Sequence, residues 1–218
     1  MATGRHEEGR KSAEGRSGLR TVENFEKYAL ELKGIIEKLP LDRVKRVSDV
    51  LYQAWRDGRC VFIFGNGGSA ALASHLACDL GKGIYSEPAN VGNAGEARRL
   101  KVISLTDNLP MISAWANDAS YDDIFAGQME NFVEPGDVAF GISGSGNSPN
   151  VLKALQLARR RNAVTVGFTG EGGKMVELLD YSAVVPSRHM QLIEDCHLIM
   201  AHMVFLDLKA RLSQPQVS

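Results

Sequence analysis

One stretch constrains this chain more than any other: Cys60-Val61-Phe62-Ile63-Phe64 running into Gly65-Asn66-Gly67-Gly68-Ser69 and on to His75. It opens as a continuous apolar run of strong β-formers. Such a run reads as a strand buried on both faces, the kind found inside a parallel sheet with helices above and below. The chain then breaks at glycines, which permit a sharp turn and let a ligand approach main-chain N–H groups. Residues 70–80 follow as a good helix former. A Gly-rich turn feeding a helix start is an anion site, because unpaired N–H groups and the positive end of the helix dipole both face it. The spacing is not G-x-G-x-x-G and no Lys-Ser/Thr pair follows, so dinucleotide and P-loop fingerprints do not match. Alone, such a turn can equally be a plain strand-to-helix connection.

The remaining apolar runs extend the pattern. Strands are predicted at 101–106, 137–142, 163–169 and 182–186, with helices at 110–116, 120–132, 151–162, 174–179 and 190–211. Strands alternating with helices predict an α/β fold: a parallel five-stranded sheet as the middle of three layers. Two amphipathic helices precede the first strand. Phe25, Tyr28, Leu32, Ile35 and Ile36 mark one over 21–38, with Thr21 as its cap, and Val44, Val47, Leu51 and Trp55 mark the other over 41–57. Pro40 separates them and Gly58 suits a left-handed C-terminal cap. Residues 1–19 are charged and nearly free of apolar side chains, and read as a disordered tail. Residues 20–212 then form a single domain, with 213–218 frayed. The stretch 81–100 has no period and reads as a long loop that helps shape a pocket.

Composition removes several classes. Lys+Arg 25 against Asp+Glu 26 leaves a net charge of −1, which makes no electrostatic case for nucleic acid or an anionic membrane. No apolar run approaches the roughly 20 residues of a membrane span. The first residues lack the apolar core of a signal peptide. The three cysteines, Cys60, Cys78 and Cys196, are an odd number in apolar or helical settings, so a disulfide framework is not expected. The expected location is cytoplasmic.

The third predicted strand runs into Ser143-Gly144-Ser145-Gly146-Asn147-Ser148-Pro149, a second Gly/Ser loop between strand and helix, with Ser148 as candidate N-cap and Pro149 at the first helical position. In open α/β sheets ligands bind at the carboxyl ends of the strands, so both loops belong on one edge. Ser69, Ser143, Ser145 and Ser148, with main-chain N–H groups, can hold a phosphomonoester without many cations. These two loops, with His75, Ala116-Asn117-Asp118, Asp123-Ile124-Phe125 and Thr169-Gly170 through Gly172-Gly173-Lys174-Met175, resemble the sugar isomerase (SIS) domain and, within it, the phosphoheptose isomerases. The resemblance runs from about residue 25 to 212. It implies a flavodoxin-like SIS core, a homotetramer with active sites between subunits, and interconversion of sedoheptulose 7-phosphate with glycero-manno-heptose 7-phosphate.

Two further pairs carry chemistry. His75 and Asp79, four apart, share a helix face, and Glu194 and His202, eight apart, lie on one broad side of the last helix. Two imidazoles and two carboxylates suit a zinc ion, and equally an acid–base pair that moves a proton between C1 and C2 of a sugar. Singly, each is as readily a packing or surface residue. The resemblance places the family's zinc ligands on His75, Asp79, Glu194 and His202, one zinc per subunit, with Asp79 as base and His202 as second acid–base group. It places phosphosugar contacts on Asn66, Gly67, Gly68, Ser69, Asn108, Ser143, Ser145 and Ser148. Asp79 stands where the family has Glu, which shortens its reach by about 1.5 Å, and Glu194 stands where it has Gln. Gly83, Asn108 and Gln191 replace an Arg and two Asp. His197 reads as packing, and His189 as a remote candidate. Three readings remain: a heptose-phosphate isomerase, an isomerase of another phosphosugar, or a non-catalytic SIS protein that binds a phosphosugar or a partner such as a replication initiator.

Overall fold

The structure, a computed structural model, describes residues 14–86 and 98–213. Most of the expected tail, its His6, the middle of the 81–100 stretch and nearly all of the expected frayed end lie outside these residues.

Five parallel strands form the sheet: β1 (Cys60–Gly65), β4 (Lys101–Ser104), β5 (Val138–Ser143), β6 (Val164–Gly170) and β7 (Tyr181–Val185), in the order β4-β1-β5-β6-β7. Counting only these strands in chain order, the arrangement is 2-1-3-4-5. Strand order reverses between β1 and β5, and that reversal opens a crevice at the carboxyl ends of the two strands. The two Gly/Ser loops leave from those two strand ends.

Alternation along β1 explains the layers. Val61 and Ile63 face one core, while Phe62 and Phe64 face the other, and all four are fully buried. The first core is closed by α2 (Leu41–Asp57), α3 (Gly68–Gly83) and α7 (Met190–Ser213), through Leu51, Leu76, Met200 and Val204 among others. The second is closed by α6 (Pro149–Arg160) and by Ile124, Phe125 and Met129 around α5 (Ala126–Glu130). Phe140 and Phe168 meet edge to face at 4.9 Å within the first core. The predicted three-layer sheet therefore holds.

The N-terminal pair also holds, with corrections. The first helix, α1 (Glu14–Ile36), begins well before Thr21, so residues 14–19, expected in the tail, are helical. Thr21 lies inside the helix and does not cap it. Once a turn exists, each added residue gains a backbone bond, so helix runs past the amphipathic stretch that nucleates it. α1 is tied to α7 by the Tyr28 hydroxyl, which donates to Asp195 Oδ2 at 2.6 Å; that bond and partial burial push the Tyr28 pKa up to about 12. α2 is tied to α7 by Ser48, donating to Asp207 Oδ2 at 2.5 Å. Gly58 caps α2 at φ 67°, as predicted.

Two other expectations fail. The helix predicted over 120–132 is a 3-10 turn at Tyr121–Asp123 followed by the five-residue α5. Ile124 to Met129 are all buried, so this segment is wedged into the second core and presents no solvent face. The stretch expected as loop from 81 to 100 is α3 as far as Gly83, and carries an antiparallel ribbon, β2 (Tyr85–Ser86) with β3 (Arg98–Arg99). Trp55 Nε1 donates to the Arg98 carbonyl at 3.1 Å and anchors the ribbon on α2.

Asp137, before β5, is 4% exposed and accepts from the Cys60 N–H and the Glu134 N–H, each at 2.9 Å. It pins the start of β1 to the turn entering β5. Asp137→Ala orphans both donors, and chemical denaturation should show a loss of about 2–4 kcal/mol.

Candidate active site

β1 ends against its neighbour so tightly that a Cβ on Gly65 would sit 2.6 Å from the Ile142 carbonyl oxygen. The turn then passes through Gly67 at φ 56°, ψ −122°, a backbone conformation closed to L side chains. This brings the chain straight into α3, whose first turn holds Gly68 and the buried Ser69. The second loop works differently. Ser143 accepts the Gly146 N–H at 3.2 Å, and Ser145 accepts the Asn147 N–H at 3.2 Å. Ser148 and Pro149 start α6 as predicted. The Ser148 hydroxyl makes no capping bond, however, and meets Ser143 Oγ at 3.3 Å instead. That hydroxyl therefore faces the space between the loops.

Asn66 and Asn150 join the two loops. Each amide donates its Nδ2 to the other's Oδ1, at 2.8 and 2.9 Å. Asn150 is 1% exposed, and its Oδ1 also accepts the Val151 N–H at 2.9 Å. Sequence reasoning assigned no role to Asn150. The one signal available was an amide placed directly after Ser-Pro at a helix start.

Between the loops lies a cavity of about 270 Å³ lined by Asn66, Gly67, Gly68, Ser69, Ser143, Ser145, Ser148 and Glu194. Seven of the predicted phosphosugar residues line it together. Neutral hydroxyls, amides and two helix N-termini surround it, a lining whose chemistry suits an anion. Asn108 does not line this cavity. It is exposed and spends its side chain capping α4 (Leu109–Asp118), accepting the Met111 N–H at 3.2 Å.

A second cavity of about 370 Å³ adjoins the first and lies between α3 and α7. Gly68, Ser69 and Glu194 border both. His75 from α3 and His202 from α7 meet here, Nε2 to Nε2 at 2.9 Å, and Asp79 Oδ2 stands 3.4 Å from His75 Nε2. The ligand atoms of His75, Asp79 and His202 lie within 4.8 Å of one another. Two imidazoles and a carboxylate at this spacing fit a divalent ion with one position left open. Glu194, the fourth expected ligand, is outside that group. It lies against the first turn of α3, where a Cβ on Gly68 would sit 2.9 Å from its Oε1. A larger cavity of about 630 Å³ carries Arg46 and Arg59, but it opens at the starts of β5, β6 and β7, away from these groups.

A profile of the SIS domain matches residues 24–170. The chain belongs to the SIS-domain family. It is similar to the phosphoheptose isomerase of Aquifex aeolicus, 37% identical over 188 residues that span 85% of this chain and 93% of the relative. The phosphoheptose isomerase of Mycobacterium tuberculosis is 35% identical over 201 residues, 90% of this chain and 97% of that one. The solved phosphoheptose isomerase of Neisseria gonorrhoeae has a TM-score of 0.77 at 26% identity, covering 88% of this chain and 98% of its own. That of Francisella tularensis repeats the fold at 23% identity and a TM-score of 0.76.

Of the positions that depart from the resembled pattern, Gly83 has a local explanation. Gly83 packs beneath Phe205, where a Cβ would sit 2.6 Å from the ring, so a long side chain there must displace that aromatic. Gln191 is exposed in the first turn of α7. His189 packs edge-on against Tyr28 at 6.2 Å and borders neither cavity. His197 borders the cavity of the imidazole pair, is 1% exposed, and neither ring nitrogen finds a hydrogen-bond partner. Burial pushes its pKa down to about 4, and the nearby Thr169 backbone opposes that shift without completing a well-formed bond.

Two predictions follow from these contacts. Asn150→Ala frees Asn66 and should raise the KM for a phosphorylated sugar about tenfold, with a stability loss of about 1–3 kcal/mol. For His197, the unfolded chain takes a proton near pH 6.5 while the folded chain stays neutral down to about pH 4. Folding stability therefore falls as pH drops through that window, by about 3 kcal/mol at its acid end. His197→Leu should remove this component, seen as a flatter dependence of the urea midpoint on pH between 7 and 4.

Proposed function

We propose that this chain interconverts sedoheptulose 7-phosphate and glycero-manno-heptose 7-phosphate, the aldose–ketose reaction of the isomerases it resembles. One observation supports this most: the serine-lined cradle and the His75–His202 imidazole pair border adjoining cavities that share Gly68, Ser69 and Glu194. A non-catalytic phosphosugar-binding protein needs the cradle but not the second group.

In this reading the phosphate rests on Ser69, Ser143, Ser145 and Ser148 and on the N–H groups that open α3 and α6. The Asn66–Asn150 pair sets the width of the cradle. The open-chain sugar then extends toward His75 and His202. Binding at the phosphate end fixes the carbonyl end in place, which removes the entropy cost of finding it. Isomerisation needs a base for the proton on the carbon beside the carbonyl and a group that manages protons on the two oxygens.

His75, Asp79 and His202 are the residues that would hold zinc. When bound, the ion supplies Lewis-acid polarisation of the carbonyl oxygen. Asp79 is held toward His75 and borders neither cavity, so its geometry suits a ligand better than a base. His202 borders the cavity, and with no ion bound it is the group that manages protons on the sugar oxygens. α1 leaves Phe25 and Leu30 each 70% exposed, which supports assembly of several subunits, a homotetramer by resemblance. Among the described residues no helix is long and apolar enough to cross a membrane. Cys60, Cys78 and Cys196 are all unpaired, which supports a cytoplasmic location.

The purified protein should convert sedoheptulose 7-phosphate to the aldose faster than any five- or six-carbon phosphosugar in the same panel. Inversion of that order assigns the chain to another phosphosugar. His75→Ala should lower both bound zinc and turnover, the latter at least a hundredfold, measured by elemental analysis beside the kinetic assay. Full activity with no bound metal would remove the zinc assignment.

A further inference from the structure

Among the described residues, neither the cradle nor the cavity between α3 and α7 has a Lys or Arg in its lining. Glu194 borders both, and Asp195 borders the second. A phosphate dianion on the serines therefore lies near carboxylates, and a cation on its other side would offset that repulsion. A third cavity, of about 390 Å³, adjoins the cradle and shares Gly144, Ser145 and Met190 with it. Its lining adds Glu171 from the turn after β6 and Arg188 from the turn before α7. Among the described residues lining these three cavities, Arg188 is the one Lys or Arg.

The backbone around Arg188 is held close to the cradle. Met190, two residues on, packs directly on Gly144. The Ser187 carbonyl accepts the Glu171 N–H at 3.1 Å, and the Gly144 carbonyl accepts the Gly170 N–H at 3.1 Å. The turn before α7 is thus stitched to the turn after β6, and that turn to the second Gly/Ser loop. The Arg188 side chain is not held in this way. It is 83% exposed, and Glu171 Oε2 stands 3.9 Å from its Nε, beyond hydrogen-bond distance. So loose and exposed an ion pair contributes little, and leaving it costs little.

Resting on the phosphosugar reading above, we propose that Arg188 is the cation of the phosphate site: it leaves Glu171 and closes over the dianion from the Ser145 side. A guanidinium offers two parallel N–H donors, which match a pair of phosphate oxygens. The serines and main-chain N–H groups hold the phosphate from within the cradle, and Arg188 neutralises it from the rim. Glu171 is the partner to which Arg188 returns when the phosphate departs.

The test uses the full chain and two readouts: KM and kcat with sedoheptulose 7-phosphate, and calorimetric binding of inorganic phosphate, which needs no turnover. Arg188→Ala should raise KM and the phosphate dissociation constant about tenfold, with kcat within about threefold of wild type. Arg188→Lys keeps the charge without the fork and should fall between wild type and Arg188→Ala. Arg188→Glu should bind more weakly than Arg188→Ala. That order follows charge, and lost packing at an 83% exposed side chain does not reproduce it. Arg46→Ala makes the same change in net charge at the opposite edge of the sheet and should leave both constants unchanged. Unchanged phosphate binding and KM in Arg188→Ala overturn the proposal, as does an equal loss in Arg46→Ala, or a fall in kcat with KM unchanged. Turnover that ignores Arg188 removes this proposal and leaves the isomerase reading standing. Phosphate binding that depends on Arg188, in a wild type that turns over no phosphosugar, supports the proposal and removes the isomerase reading alone.

Discussion

The close approach of α7 to the first turn of α3 is the contact on which the site depends. It is possible because Gly68 has no side chain, so Glu194 can lie over the start of the helix. About two turns along the same interface, His75 and His202 come within hydrogen-bond distance. The same packing of Leu72, Leu76, Met200 and Val204 that closes the first core therefore sets the spacing of the chemical groups. A shift of α7 would move Glu194 and His202 together, and small displacements of reacting groups are costly in rate.

The anion cradle has a separate origin. It comes from sheet order, since β1 and β5 are the strands on either side of the reversal and their loops open on the same crevice. Neither loop carries Lys or Arg. The donors on offer are hydroxyls, amides and helix N-termini, aligned by the reciprocal Asn66–Asn150 bonds. Such a lining suits short-range, directional binding of the proposed phosphate, with little long-range attraction, in keeping with a net charge of −1.

Much of this was legible in the sequence. The β1 run, the two Gly/Ser loops, Ser148-Pro149 and Gly58 carry local signals that tertiary context does not override, so the five strands and these helix ends were placed within a residue or two. The helix expected over 120–132 was not, because Ile124 to Met129 are buried on every side and periodicity has no solvent face to report. The β2–β3 ribbon was too short to show a pattern. The pairing of His75 with His202 across two helices followed from resemblance alone, as spacing within one helix says nothing about its neighbour. Asn150 escaped notice because a reciprocal amide pair is a contact between loops 84 residues apart. Asn108 matched a motif position, but its side chain went to a helix cap.

The central claim is that one sugar phosphate spans both cavities, its anionic end on the serines and its carbonyl end between α3 and α7. A crystal structure of the protein with sedoheptulose 7-phosphate tests it most directly. The phosphate should lie within hydrogen-bond reach of Ser69, Ser143 and Ser148, with C1 and C2 beside His75 and His202. A phosphate bound instead beside Arg46 and Arg59 at the opposite edge of the sheet, or a sugar chain directed away from α7, would contradict it.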